Sequence, residues 1–251
     1  MRSLITLLLL TIFFVAPTLS IADDTQSSHV LTKELAVKAL QGFNGQVISV
    51  EPTDIPGMYL VAMQSQGRIV PIFLDGTGSY LFSGNFIRLE DRKNLTEWYY
   101  QKLNPIDVSA IPIDAGMTLG NPDAKQQIFV FTDPHCPYCT KMHKVIHQAV
   151  AKNPDLAFNI KIVPFKASSK EVAKTILCNE SMEQLEMAFA GQPVPAPTCE
   201  TNAVEANLKL ARKLGINGTP TSILPNGMIL NGYRDVEGLL LEIENNRAET
   251  K

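Results

Sequence analysis

The sequence predicts a two-part α/β protein: a small α+β module, a connecting helix, and a larger unit built strand–helix–strand, then hairpin and helix. Three observations carry this expectation. An apolar strand-like run ends at a Cys-Pro-Tyr-Cys tetrapeptide that opens an amphipathic helix. A second run of strand signals around Asn226-Gly227 precedes a last helical stretch from Val236. The first ninety residues contain no cysteine and alternate a helical pattern with strand-like stretches.

The tetrapeptide is the most informative element. Gln127-Ile128-Phe129-Val130-Phe131 is rich in β-branched and aromatic residues and reads as a buried strand. After it, Met142, Val145, Ile146, Ala149 and Val150 repeat at helical spacing, predicting a helix over about 137–151. Pro137 suits the first helical position, where no intrahelical N–H bond is required. Cys136 and Cys139 therefore fall on the first turn of a helix, whose unpaired N–H groups and dipole favour a thiolate. A CxxC at a strand-to-helix turn fits thioredoxin-like dithiol–disulfide exchange.

Zinc is the rival chemistry. The four cysteines are Cys136, Cys139, Cys178 and Cys199, so the second pair is split instead of forming another compact knuckle. His143 and His147 share the helix at i, i+4 spacing, which permits a metal site in principle; the simpler reading is ordinary helix-surface or partly packed histidines. No metal and no cofactor is expected.

The chain of 251 residues opens with Met1-Arg2, an apolar segment over 4–15, Pro17, and Ser20-Ile21-Ala22 before Asp23-Asp24. Charge, a short apolar stretch and small residues at −3 and −1 predict a secretory signal peptide (1–22) cut after Ala22. Export implies an oxidising compartment in which an even cysteine count pairs. With 22 basic and 25 acidic residues the chain is mildly acidic, and no basic stripe suggests nucleic acid or anionic lipid as a partner.

The N-terminal module is expected over 23–90. A helical pattern runs through Leu31, Leu35, Ala39, Leu40 and Phe43 with Ser28 as its N-cap, followed by strands at 46–50, 58–64 and 68–74 and a turn at Asp75-Gly76-Thr77-Gly78 into 79–82. Pro71 makes the third strand an edge, since proline cannot donate to a ladder. That edge, carrying Ile69, Val70, Ile72 and Phe73, is either a pairing site for a second copy or covered by its own chain. A linker (91–112) holds a helix over 94–104 with Trp98, Tyr99 and Leu103, then Pro105 and Pro112. The catalytic unit (113–251) is expected to hold a strand at 128–131, the helix, a strand at 158–163, a helical block over 170–214 broken by a loop at 193–197, the hairpin and a last helix.

Phe131-Thr132-Asp133 before the cysteine pair, and Gly218-Thr219-Pro220 before a strand and Asn226-Gly227, resemble the DsbC/DsbG family of periplasmic disulfide isomerases. The likeness covers essentially the whole mature chain. It implies a thioredoxin-like catalytic domain with a helical insertion, preceded by a cystatin-like dimerisation domain. Pro137-Tyr138 resembles the DsbG branch, whereas Cys178, Cys199 and the Asn-Gly hairpin resemble DsbC. Thioredoxin itself carries a buried aspartate six residues before its nucleophile; here that position is Val130.

The resemblance implies a role for each residue. Cys136 attacks a wrong disulfide in a misfolded exported protein and Cys139 resolves stalled intermediates. Pro220 is a cis-proline opposite the cysteines, Thr219 contacts substrate through its backbone, and Tyr138 and His135 flank the thiolate. Ala190-Gly191 and Pro195-Ala196-Pro197-Thr198-Cys199 resemble the DsbC segment around a structural disulfide, so Cys178 and Cys199 are assigned to one; a second redox couple is the competing reading and lacks a helix start. The expected partners are a second copy of the chain, misfolded clients and a membrane electron donor of the DsbD type. The alternatives are a directional reductant or oxidant for particular clients, and a dimeric chaperone with redox chemistry secondary.

Overall fold

The computed structural model describes residues 30–247. The expected signal peptide, its cleavage point after Ala22 and the expected Ser28 cap lie outside the described residues. The first helix, α1, is Lys33–Ala39, and Thr32 caps it by accepting a hydrogen bond from the Leu35 N–H. Phe43, expected on its buried face, lies past its end and is half exposed.

Four strands follow as a meander: β1 (Gln46–Pro52), β2 (Met58–Ser65), β3 (Arg68–Asp75) and the two-residue β4 (Leu81–Phe82), paired antiparallel in chain order. One face packs on α1 through Leu31, Ala36, Leu40, Val61, Met63 and Leu74. The other packs on α2 (Leu95–Leu103) through Leu60, Phe73, Leu95 and Tyr99, with Phe73 edge-on to Phe86 at 4.8 Å. Asn94 caps α2 through the Glu97 N–H. Two short strands, β5 (Ile87–Arg88) and β6 (Lys93–Asn94), form a separate hairpin before α2; the sequence signal for them is too short to register.

The third strand is an edge for half its length. β4 pairs only Phe73 and Leu74, leaving the Arg68–Pro71 end open on that side. Ile69 and Asp75 donate to partners on the side away from β2, so by two-residue alternation the missing N–H of Pro71 also faces that open side. The chain covers part of this edge itself: Asn104, at the C-terminus of α2, accepts from the Ile69 N–H at 2.9 Å and donates to the Ile69 carbonyl at 2.6 Å. Phe73, expected on an exposed edge, is instead buried in the aromatic cluster.

The second sheet has the order β11-β10-β8-β9-β7, from β7 (Met117–Gly120), β8 (Gln126–Thr132), β9 (Leu156–Ile162), β10 (Thr221–Ile223) and β11 (Ile229–Asn231). β8 and β9 run parallel, joined by α3 (Pro137–Lys152); the other pairings are antiparallel. Strand β8 is buried on both faces, with Ile128 and Val130 in one core and Phe129 and Phe131 in the other. β7 is missing from the sequence-based expectation because four residues ending in Gly120 carry little periodic signal. Helices α4 (Lys170–Asn179), α5 (Met182–Phe189) and α6 (Ala203–Lys213) form the helical block, and α7 (Val236–Asn245) packs on α3.

The hairpin turn differs from the two-residue expectation. Leu224 N–H bonds the Met228 carbonyl and Gly227 N–H bonds the Leu224 carbonyl, giving a three-residue loop with Pro225 at the first turn position and Gly227 at φ +86. Pro225 presets the turn and Gly227 takes the left-handed bulge position, which displaces the tighter Asn-Gly turn. The linker docks here. Ile106 N–H donates to the Gly227 carbonyl at 3.0 Å and the Gln101 side chain accepts from the Ile229 N–H at 2.9 Å.

Candidate active site

Cys136 is the N-cap residue of α3, in extended conformation, and Pro137 occupies the first helical position. Its carbonyl already accepts the first helical bonds, from the N–H groups of Cys139 (3.0 Å) and Thr140 (3.1 Å). Pro137 carries no N–H, so the helix-start donors acting on the Cys136 sulfur are the backbone N–H groups of Cys139 and Tyr138. Both sulfurs are free thiols, Cys136 half-buried and Cys139 buried at 1 % exposure. The rim of Cys136 is solvent-facing, made of His135, Pro137 and Tyr138, the last 59 % exposed.

The two thiols are pushed in opposite directions. Burial alone raises Cys136, but the Cys139 thiol, the backbone N–H groups of Cys139 and Tyr138, and the Thr219 side chain outweigh it and hold Cys136 below the ordinary thiol value. At Cys139 burial is deeper; it outweighs the hydrogen bonds from its neighbours and pushes the thiol up to about 12. The exposed sulfur is thus the nucleophile and the buried one a thiol in reserve.

The Thr219–Pro220 peptide is cis and lies opposite the cysteines. The Cys136 thiol donates to the Thr219 carbonyl oxygen at 3.4 Å. Pro220 is itself buried, while Thr219 is half exposed, so the accessible surface beside the sulfur belongs to Thr219. The start of the strand after it is held by two bonds: the Thr221 hydroxyl donates to the Gly218 carbonyl at 2.9 Å and Gly232 N–H to the Pro220 carbonyl at 2.8 Å. The structure thus brings Cys136, Cys139, Tyr138, His135, Thr219 and Pro220 to one end of the second sheet. Cys178 and Cys199 are elsewhere, joined by a disulfide with Cα atoms 5.9 Å apart that ties the end of α4 to the loop before α6.

Sequence reasoning missed the network beneath the active-site turn. Asp133 is 2 % exposed; its carboxylate accepts from the His135 N–H at 2.9 Å and the Ser169 hydroxyl at 2.7 Å. His135 Nδ1 lies 3.2 Å from the same hydroxyl oxygen, and Lys166 Nζ donates to the His135 carbonyl. Asp-Pro-His signals an Asx turn, so the Asp133–His135 bond was readable locally. Ser169 and Lys166, more than thirty positions away, were not. Val130 stands on β8 where thioredoxin carries a buried aspartate, and the buried carboxylate of Asp133, one residue past the strand, is turned to His135 and Ser169.

Residues 116–245 match the thioredoxin-like domain, and residues 21–97 match the disulfide bond isomerase protein N-terminal domain. The chain is 27% identical to the thiol:disulfide interchange protein DsbC of Salmonella typhimurium over 51% of its own length and 55% of that protein. It is 23% identical to the Escherichia coli K12 protein of the same name over 85% of its own length and 84% of that protein. In the first of these matches the chain spans about half the length of its relative. The catalytic domain of Proteus mirabilis ScsC superposes with a TM-score of 0.45 at 27% identity, over 53% of this chain and 89% of that one. Among the described residues no helix is long and apolar enough to cross a membrane. With a disulfide-isomerase N-terminal domain joined to a thioredoxin-like domain that carries a free Cys-Pro-Tyr-Cys pair, the chain belongs to the DsbC/DsbG family of thiol:disulfide interchange proteins.

Proposed function

We propose that the chain is a periplasmic enzyme that reshuffles incorrect disulfides in exported proteins. The observation that carries this reading is the contrast between a half-buried Cys136 held below the ordinary thiol value and a Cys139 pushed up to about 12 directly behind it. The Cys136 thiolate attacks one sulfur of a substrate disulfide; that S–S bond breaks, a mixed disulfide forms, and the substrate's other sulfur leaves as a thiolate. The freed thiolate attacks another disulfide in the client, and a later client thiolate displaces Cys136, so no net electrons are transferred. A stalled intermediate is resolved by Cys139, which attacks the Cys136 sulfur and releases the client reduced. The resulting Cys136–Cys139 disulfide then takes two electrons and two protons from a membrane donor of the DsbD type.

Thr219 offers its backbone to the client main chain beside the sulfur, Pro220 fixes the direction of that segment from below, and Tyr138 supplies an apolar rim. Cys178–Cys199 is assigned a structural role, because neither cysteine sits at a helix N-cap or first turn as Cys136 does: Cys178 is in the last turn of α4 and Cys199 in the loop before α6. The chain acts as a homodimer through its N-terminal domain. Exposed Phe43, Tyr80, Leu81 and Phe82 on so small a module support an interface there, since a unit of that size buries a thin core alone. A signal peptide cut after Ala22 delivers it to the periplasm.

Refolding of a scrambled multi-disulfide protein by wild type and by Cys136→Ala tests the reading. Recovery of native pairing only with wild type is the expected result. Equal recovery in the variant would remove Cys136 from the chemistry. A sedimentation measurement at micromolar concentration showing monomer alone would remove the homodimer.

A further inference from the structure

A second chemical centre lies on the active-site helix, on a side the thiol chemistry does not use. His143 and His147 sit one turn apart on α3, and their Nε2 atoms face each other at 3.2 Å. Glu186, carried by α5, brings Oε1 to 3.4 Å from His147 Nε2 and 3.6 Å from His143 Nε2. Three donor atoms from two helices thus form a nearly equilateral triangle. The carboxylate separations exceed the usual charged hydrogen-bond length of about 2.7–2.9 Å. They match what an ion requires: tetrahedral bonds of about 2.0–2.1 Å place neighbouring donors about 3.3–3.4 Å apart.

We propose that His143, His147 and Glu186 form a binding site for a divalent transition-metal ion, of the zinc type, with two imidazole nitrogens and one carboxylate oxygen as ligands. Two imidazoles and a carboxylate suit late first-row dications and are poor ligands for calcium or magnesium. The i, i+4 pair is the spacing by which one helix face supplies two imidazoles to one ion. His143 is 8 % exposed and packs against Phe189 at 5.1 Å, so its ring is fixed without metal. The three side chains line a cavity of about 560 Å³ together with Thr140, Lys144, Gln148 and Phe189, which leaves room for water or a small anion as a fourth ligand.

The test is zinc titration of the tag-free full chain, with Cys136 and Cys139 oxidised to their disulfide so that no free thiolate competes. Calorimetry is expected to show one zinc per chain with micromolar or tighter affinity, and a rise in Tm that grows with zinc concentration. His147→Ala is expected to weaken binding at least tenfold and Glu186→Gln severalfold; both residues are about half exposed, so the variants retain the fold, checked by circular dichroism. With cobalt(II), visible bands of a nitrogen–oxygen site without thiolate charge transfer are expected. No binding by the oxidised wild type at millimolar zinc would overturn the proposal. So would unchanged affinity in both variants, or cobalt bands that appear only after reduction of the cysteines.

Discussion

The Ser169 hydroxyl donates to the buried Asp133 carboxylate at 2.7 Å, tying the loop after β9 to the turn that precedes the nucleophilic cysteine. The carboxylate also holds the His135 N–H, so this one side chain fixes the residue next to Cys136. Ser169→Ala removes a donor from a charged group that water cannot reach. The cost expected is about 1–3 kcal/mol of unfolding free energy, read as a lower denaturant midpoint at unchanged slope. A midpoint equal to that of wild type would mean that the carboxylate is satisfied without Ser169.

The two thiols should react in strict order. Cys136, raised by burial but held low overall by the Cys139 thiol and the nearby backbone N–H groups, is expected to alkylate with a pH midpoint below that of a free thiol. Cys139, up at about 12 and buried, should stay unmodified until the protein unfolds. Peptide mapping after iodoacetamide pulses across pH 5–10 checks both halves. Comparable labelling of the two cysteines at neutral pH would contradict the assignment.

Lys161 gives the fold a pH signature of its own. Its side chain is fully buried in β9, and the ammonium donates to the Ile113 carbonyl at 3.1 Å and to the Asp114 carbonyl. Burial lowers it to about 8 against an ordinary 10.5, with the Asp114 charge opposing the change. Between those values the unfolded chain binds more protons than the folded one, so stability rises with pH across that window and the full penalty applies below pH 8. The expected gain approaches about 3 kcal/mol, since each tenfold loss of proton affinity on folding is worth about 1.4 kcal/mol. Denaturation of wild type and Lys161→Met from pH 7 to 10.5 isolates it, because other titrating groups cancel; parallel curves would exclude it.

Gly227 is where the linker leans on the hairpin. A Cβ there would stand 2.0 Å from the Ile106 carbonyl oxygen, and φ is +86. Gly215 has φ +74 but open space around it. Alanine at Gly215 should cost only the left-handed backbone penalty of about 1–2 kcal/mol. Gly227→Ala should cost distinctly more and loosen the linker, seen as faster hydrogen exchange at Ile106 and Ile229. Equal losses at the two positions would show that the contact with Ile106 yields easily.

The parts legible in the sequence were those written in neighbouring residues. The Cys-Pro-Tyr-Cys turn announces itself through Pro137 and the apolar spacing of α3, and β8 through a continuous run that only a doubly covered strand can bury. Lys161 was not legible. All seven residues of β9 are buried, including two polar ones that an alternating strand would have turned to water. The Asp133–Ser169 and Asn104–Ile69 bonds join positions more than thirty residues apart, and nothing local encodes them. Glu186 is similarly remote, which is why His143 and His147 read alone as ordinary helix histidines.

The second cysteine pair should prove inert where the first is labile. The Cys178–Cys199 bond closes a loop of 21 residues, and in the chain-entropy model such a closure is worth about 3 kcal/mol. Replacing both with serine should lower the unfolding free energy by roughly that amount and leave the Cys136 alkylation profile in place. Under mild dithiothreitol, mass spectrometry of the oxidised protein should show Cys136–Cys139 opening first, because the lowered Cys136 thiol stabilises the reduced pair and makes that bond the more easily reduced, even though Cys199 is exposed. If both bonds open together, Cys178–Cys199 takes part in exchange and its assignment to the scaffold fails.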